Sequence, residues 1–144
     1  MHARLPVKRP RYVLDAYALF AHFGHNPGGE RVGEILAAAQ VGACELYLSE
    51  INLGELVCGI ERALGKERTM ETLTIVQQFP ITRCAASWPR TLAAAHVKAH
   101  HPISYADAFA VALAQEMDAS VVTGDPEFEC VEELIPVVWL PTKH

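Results

Sequence analysis

Short apolar runs alternate with stretches of helical periodicity along this chain, and this alternation limits the possible folds more than any other feature. The apolar runs are four or five residues long, at 11–14, 45–48, 80–83, 120–123 and 136–140, which is typical of strands. Strands that are separated by helices pair in parallel through crossover connections. The sequence therefore predicts an α/β fold, a three-layer α/β/α sandwich with helices on both faces of a mainly parallel sheet.

The helical stretches have recognisable ends. Ser49 and Ser104 are suitable N-cap residues, and Gly65 is a suitable stop for the helix that begins after Ser49. The predicted helices span 16–23, 30–40, 49–64, 67–78, 88–100 and 104–117. In the helix after Ser49, the spacing of apolar residues predicts a core stripe made of Leu53, Leu56, Val57, Ile60 and Leu64.

The bulk properties indicate one globular domain over residues 1–144. A chain of this length can bury a single core, and 51% of its residues are hydrophobic while 20% are charged. No run approaches the ~20 apolar residues that span a membrane, and the apolar stretch near the N-terminus contains Asp15, unlike a signal peptide. The four cysteines form no C-x-x-C pair and are expected to be small core residues of a cytoplasmic protein.

Two acidic residues directly follow predicted strands. Asp15 follows the first strand, and Asp125 follows the strand at 120–123. Ligands of open parallel sheets bind beyond the carboxyl ends of the strands, so both acids are placed at the functional edge of the sheet. Each also has a structural interpretation, since Asp15 could only cap a helix and Asp125 could only form an Asp-Pro turn.

Two further acids lie on helices. Glu55 points away from the core stripe of its helix and has no basic residue three or four positions away, so it is either a solvated surface residue or faces a cleft. Asp107 could complete a capping box with Ser104. However, its neighbours on the same helix face are small and apolar, and burying an unpaired carboxylate among them would be costly without a cation.

The predicted fold would gather these four acids at one edge, where they would need cations. Two carboxylates ~4 Å apart repel each other by about 4 kcal/mol at an effective dielectric constant of ~20. Oxygen ligands favour Mg²⁺ or Mn²⁺, and paired metals would activate water against a phosphodiester. The net charge of −5 argues against a nucleic-acid partner only if this site holds no metal.

The chain resembles the PIN-domain family, and within it the small ribonuclease toxins of VapBC toxin–antitoxin modules. The order and spacing of four motifs carry the resemblance, which extends over essentially the whole chain. These motifs are YVLDAYAL at 12–19, SEINLGEL at 49–56, ISYADAFAVALA at 103–114 and VTGDPEF at 122–128.

The resemblance implies an α/β/α sandwich with Mg²⁺- or Mn²⁺-dependent endoribonuclease activity. It also implies a homodimer that is inhibited by a cognate antitoxin, whose C-terminal segment would cover the acidic cleft. The family's four acids correspond to Asp15, Glu55, Asp107 and Asp125, which would act as metal ligands and catalytic residues. Many members have a small hydroxyl residue two places after the first aspartate, whereas this chain has Tyr17.

Other polar groups allow two interpretations. His96 and His100 have a spacing that could bind zinc, but no third ligand is evident, and solvated helix residues are the simpler interpretation. Arg62, Lys66 and Arg68 could contact RNA phosphates or merely charge a helix end. Trp88 and Trp139 are expected in the core or in a dimer contact.

Three other functions are alternatives to a ribonuclease. A phosphatase of the haloacid-dehalogenase type needs a second aspartate at the position of Tyr17, which the chain lacks. A phosphoacceptor receiver domain needs paired acids after the first strand and a lysine after a late strand, and neither is present. A catalytically silent PIN-like binding module or scaffold would differ only in failing to bind metal.

Overall fold

The structure, a computed structural model, describes residues 8–144. Five strands form one sheet: β1 Arg11–Leu14, β2 Glu45–Ser49, β3 Ile81–Cys84, β4 Ser120–Thr123 and β5 Val137–Trp139. The helices are α1 Ala16–Phe23, α2 Gly29–Gln40, α3 Glu50–Leu64, α4 Lys66–Gln78, α5 Trp88–His100 and α6 Tyr105–Met117, followed by a 3-10 helix at Pro126–Val131. The predicted strands and helices are all present, with small shifts at their ends.

The strands follow the order β3-β2-β1-β4-β5, and each of the four pairings is parallel. In register, Val13 of β1 lies opposite Tyr47 on one side and Val121 on the other. The chain first builds the sheet from β1 towards β3 and then crosses back to place β4 on the free side of β1. This reversal puts the topological switch point between β1 and β4, where a crevice opens at the carboxyl ends of the strands.

Successive strand residues point to opposite faces of the sheet and divide the core into two clusters. Val13 and Val121 belong to the cluster that includes α5 and α6. Leu14 and Val122 belong to the cluster that includes α1, α2, α3 and α4. Helices therefore cover both faces, which confirms the predicted α/β/α sandwich.

The predicted helix starts carry their caps. Ser49 Oγ accepts a hydrogen bond from the Ile51 amide at 3.2 Å, and Ser104 Oγ accepts one from the Asp107 amide at 3.1 Å. Gly65 ends α3 with a positive φ of 88°, a backbone conformation that favours glycine. These caps fix where α3 and α6 begin, close to the carboxyl ends of the strands.

Several side-chain placements differ from the sequence prediction. Leu64 is 63% exposed, because the last turn of α3 extends past the core stripe that Leu56 and Ile60 complete. Trp88 and Trp139 are exposed and are not core residues.

The cysteines also differ in part from expectation. Cys44 and Cys84 are buried as predicted, whereas Cys58 and Cys130 are exposed, and all four are free. The first pair lies under the helices that cover the sheet, while the second pair lies on outer helix surfaces. Within residues 8–144, no helix is long and apolar enough to cross a bilayer.

Candidate metal centre

Four elements bring acidic side chains to the carboxyl ends of β1 and β4. Asp15 is the first residue after β1, and Asp125 follows β4, its neighbour in the sheet. Glu55 lies in the second turn of α3, and Asp107 lies in the first turn of α6. We call this region the carboxyl edge.

Asp15 is almost completely buried, with 1% of its surface exposed. It is the N-cap of α1, and its Oδ1 accepts a hydrogen bond from the Ala18 amide at 2.9 Å. Burial raises the pKa of Asp15 to about 7; the Thr123 hydroxyl and the Ala18 amide oppose this shift, and the charges of Asp125 and Glu55 reinforce it. Asp15 is therefore a helix cap that also lies close to other acids.

Asp107 is buried at the start of α6, on the small apolar face that the sequence indicated. Burial raises its pKa to about 8, and the adjoining Glu127 carboxyl group and the charges of Asp15 and Asp125 act in the same direction. A hydrogen bond with Ser104 partly opposes the shift. An acid in such a position is strongly disfavoured as a lone anion.

The predicted capping box is only half formed. Ser104 does cap the Asp107 amide, but the Ser104 amide donates to Glu127 Oε1 at 2.8 Å and not to Asp107. Glu127, from the 3-10 helix, therefore accepts the hydrogen bond from the N-cap amide that Asp107 would accept in a complete capping box. The Asp107 carboxyl group instead lies beside the carboxyl group of Glu127.

Three carboxylates form a compact group. Asp107, Asp125 and Glu127 each offer an oxygen, and these oxygens lie within 4.8 Å of one another. Asp125 is also the cap of the 3-10 helix, since its Oδ1 accepts from the Glu127 amide at 2.9 Å. Asp125 and Glu127 are only partly buried, so this group is open to solvent.

Glu55 lies outside this group and close to Asp15. It is partly buried, and its Oε1 accepts a hydrogen bond from Asn52 Nδ2 at 3.1 Å. It is close enough to Asp15 for its charge to raise the pKa of that residue. Glu55 is not part of the three-carboxylate group, and its role as a metal ligand stays a prediction.

Two residues support the positions of Asp15 and Asp125. Thr123 is fully buried; its Oγ1 accepts from the Asp125 amide at 3.0 Å, and its hydroxyl hydrogen-bonds the Asp15 carboxylate. Tyr17 lies over Gly124, where a Cβ atom would come within 2.4 Å of the phenol ring. The bulky residue at this position therefore packs against the backbone that carries Asp125, which leaves no room for a side chain at 124.

The donor set suits a divalent cation such as Mg²⁺ or Mn²⁺. All the candidate ligands are carboxylate oxygens, which hard cations prefer, and His, Cys and other softer ligands are absent from the group. In the described part of the chain, no lysine or arginine forms a salt bridge with Asp15, Glu55, Asp107, Asp125 or Glu127. The mutual repulsion of these acids therefore has no internal counter-charge, and a bound cation would supply one.

Sequence reasoning missed two residues of this region. Glu127 stands two positions after Asp125 in the VTGDPEF motif, where only Asp125 was considered as a ligand, although the acidic side chain of Glu127 was the available signal. Asn52 is fully buried in α3 and touches Glu55. A polar residue one helical turn before Glu55 was the only sign of its role.

The remaining candidates lie apart from the acids. His96 and His100 are both exposed on α5, with ring centroids 4.8 Å apart, as expected for solvated helix residues. A cavity of about 1180 Å³ lies between the α1–α2 connection and the pair α3 and α4. Its lining contains none of the five acids, so it is separate from the candidate metal centre.

A family model for the PIN domain matches residues 12–134, which include all five acids. The chain belongs to the PIN-domain family. No curated protein sequence matches this PIN domain significantly.

Solved structures show the same PIN fold at low sequence identity. A chain of VapBC2 from Rickettsia felis, in a complex with a promoter DNA fragment, is 19% identical with a TM-score of 0.70; the match covers 90% of this chain and 98% of that one. DNA-bound VapBC from Salmonella typhimurium gives 19% identity, a TM-score of 0.68 and coverage of 90% and 97%. VapC20 from Mycobacterium tuberculosis, described as a sarcin-ricin loop cleaving toxin, gives 18% identity, a TM-score of 0.61 and coverage of 82% and 92%.

Proposed function

We propose that this PIN domain is a metal-dependent endoribonuclease and the toxin of a VapBC-type toxin–antitoxin pair, acting as one nuclease domain in the cytoplasm. The observation that carries the proposal is the group of carboxylates at the carboxyl edge, which has no basic partner among the described residues. The four free cysteines are compatible with a reducing compartment.

Asp107, Asp125 and Glu127 would hold Mg²⁺ or Mn²⁺, with Asp15 and Glu55 as the further ligands that the resemblance implies. A divalent cation bound there would supply the Lewis-acid chemistry that activates water for phosphodiester cleavage. The chain's own part is to fix the acids in place: Asp15 and Asp125 cap α1 and the 3-10 helix, and Asp107 lies in the first turn of α6. Such rigid placement is what metal-assisted hydrolysis requires of a protein scaffold.

RNA is the proposed substrate. Among the structural neighbours, VapC20 is described as a toxin that cleaves the sarcin-ricin loop, which supports an RNA substrate for this chain. Arg62 and Lys66 lie exposed near the end of α3, the helix that carries Glu55, and would contact phosphates without reading the base sequence. Arg68 is less available, because it pairs with Glu71.

Two protein partners are proposed. The neighbours from R. felis and S. typhimurium were solved as VapBC complexes, which supports a cognate antitoxin that covers the acidic cleft. A second copy of this chain is supported by an apolar patch on α5, where Trp88 and Leu92 lie one turn apart and are 71% and 55% exposed. Replacing Leu92 with glutamate should convert a dimer to monomers in analytical ultracentrifugation.

The nuclease proposal is tested with purified protein that is free of antitoxin and mixed cellular RNA. The wild type should cleave RNA with Mg²⁺ or Mn²⁺ and stop when EDTA is added, and Asp107→Asn should be inactive. Intact RNA in every reaction, together with no Mn²⁺ binding, would instead favour a catalytically silent scaffold. Cleavage by Asp107→Asn at the wild-type rate would also contradict the proposal.

A further inference from the structure

Asn52 is the one polar side chain of α3 that is fully buried, with 0% of its surface exposed. Leu56 and Ile60 fill the buried positions of the next turns of the same helix. A buried amide loses its hydration and destabilises a fold unless it is fully hydrogen-bonded. Packing alone therefore does not explain why an asparagine occupies this buried position of α3.

The Asn52 amide links two elements of the acid site. Its Nδ2 donates to Glu55 Oε1 at 3.1 Å and to the carbonyl oxygen of Ala106 at 3.2 Å. Ala106 lies in the first turn of α6, directly before Asp107. The amide thus ties the Glu55 carboxylate to the helix turn that presents Asp107.

The orientation of this amide follows from its surroundings. A flipped amide would place its oxygen against the Glu55 carboxylate and the Ala106 carbonyl, both of which are acceptors. In the observed orientation both N–H groups of Nδ2 have an acceptor. The amide oxygen Oδ1, however, is buried and has no hydrogen-bond partner within residues 8–144. An apolar residue of the same size would avoid this orphaned oxygen, so fold stability alone does not account for Asn52.

The hydrogen bond from Asn52 holds the Glu55 carboxylate in place against its electrostatic repulsion by nearby acids. The charge of Glu55 acts on Asp15 across the site, and its side chain is long, only partly buried and without a lysine or arginine partner in the described chain. Such a side chain would rotate towards solvent, away from the other acids. The Asn52 amide, a buried donor on the same helix, keeps the Glu55 carboxylate close to Asp15.

We propose that Asn52 is a positioning residue, which holds the Glu55 carboxylate against the first turn of α6 and close to Asp15. This inference rests on the proposed function, because the position matters only if the acids act on a cation and a substrate. Residues that orient metal ligands in this way typically contribute 10–100-fold to metal affinity or activity.

The test uses Asn52→Leu, which keeps the branching and the number of heavy atoms of the side chain and removes both hydrogen bonds. We expect Mn²⁺ affinity in a calorimetric titration and kcat for RNA cleavage to fall about 10–100-fold each, with an unchanged or higher Tm. Thr72→Val is the matched control, since it removes a buried hydroxyl that bonds only the Arg68 carbonyl in α4. It should leave Mn²⁺ affinity and kcat as in the wild type.

A double-mutant cycle separates positioning from a general structural effect. Because Asn52 is proposed to act through Glu55, adding Asn52→Leu to Glu55→Gln should lower Mn²⁺ affinity no further than Glu55→Gln alone. Additive losses would overturn the inference. If Asn52→Leu does not fold, Asn52→Val, which has no side-chain donor, replaces it in the same cycle.

Failure of this inference is distinguishable from failure of the proposed function. Wild-type protein that neither binds Mn²⁺ nor cleaves RNA would refute the proposed function. Wild-type protein that does both, alongside an equally active Asn52→Leu with unchanged Mn²⁺ affinity, would overturn only the role of Asn52.

Discussion

Acidic residues at the two edges of the same sheet have opposite surroundings. At the amino ends of β1 and β2, which we call the amino edge, Arg9 Nη2 and Arg11 Nε bond the Glu45 carboxylate at 2.9 and 2.8 Å. Desolvation would raise the pKa of Glu45, but hydrogen bonds from Arg11 and Tyr47 outweigh it and the pKa is lowered. At the carboxyl edge, burial raises the pKa of Asp15 and Asp107, and no arginine or lysine of residues 8–144 pairs with them.

This contrast separates acids that are paired with arginines of the same chain from acids that have no basic partner within residues 8–144. Arg11 also donates to the carbonyl of Met117 at the end of α6, so the amino edge is closed by internal partners. The carboxyl edge has surplus acceptors and no internal donor of positive charge. An unpaired acidic cluster that is partly buried is expected at functional sites more than elsewhere.

The largest expected effect breaks the contrast by removing one charge from each edge. Asp125→Asn keeps the shape and the capping ability of residue 125 but removes its charge, and should lower the rate of RNA cleavage more than about 100-fold, beyond the 10–100-fold of residues that only orient ligands. Glu45→Gln at the amino edge should change the rate less than about 2-fold, because surface charges far from a site contribute little. Equal losses in both variants, measured as initial rates with Mn²⁺, would contradict this account.

The second expected effect is a pH dependence of stability without metal. The folded pKa values of Asp15 and Asp107 are about 7 and about 8, and both lie above the ordinary value of 3.8. Between these values unfolding releases protons, so the free energy of unfolding should fall as pH rises, by up to about 1.4 kcal/mol per pH unit for each carboxyl.

Thermal unfolding in EDTA from pH 5 to pH 8.5 measures this dependence. Added Mn²⁺ should raise the Tm more at pH 8 than at pH 5.5, because the cation binds the deprotonated acids. The double variant Asp15→Asn, Asp107→Asn should lose the slope. A Tm in EDTA that rises with pH over this range would show that the acids are not held as described.

The third expected effect concerns backbone packing at the carboxyl edge. Gly124→Ala would place a Cβ atom 2.4 Å from the Tyr17 ring and should destabilise the fold by about 1–3 kcal/mol in urea unfolding. Combining it with Tyr17→Ala should cost less than the sum of the two single changes. Gly54→Ala is the control, because nothing lies within 4 Å of its Cβ position in α3 and alanine favours helices.

The smallest expected effects concern the amino edge. Arg11→Gln removes bonds to Glu45 and to the Met117 carbonyl, and should lower the Tm by a few degrees at most without changing RNA cleavage. Lys8→Ala should change neither quantity, since Lys8 and Asp118 form a pair whose side chains are 71% and 79% exposed. A large loss of RNA cleavage in either variant would contradict the proposed difference between the two edges.

The local parts of this structure could be predicted from the sequence. The apolar strands β1 and β4 and the acids that follow them, Asp15 and Asp125, are encoded in adjacent residues. The alternation of strands and helices then requires parallel pairing, and this puts both acids at one edge. The caps Ser49 and Ser104 are also local signals, and both form as predicted.

The parts that sequence reasoning missed depend on contacts between distant segments. Asn52 is buried because α6 packs against α3, and nothing in the spacing of α3 reveals this. Glu127 joins the acids because a 3-10 helix turns it towards Ser104, where an ordinary turn was expected. Leu64 has apolar spacing but no element beyond it to pack against.

The most direct test of the central claim, that the carboxyl edge binds a divalent cation, is a calorimetric titration of Mn²⁺ into metal-free protein at pH 8. The wild type and Glu45→Gln should bind with the same affinity, and Asp15→Asn should bind far more weakly, because only the carboxyl edge lacks internal counter-charges. No binding by the wild type, or equal binding by Asp15→Asn, would contradict the claim.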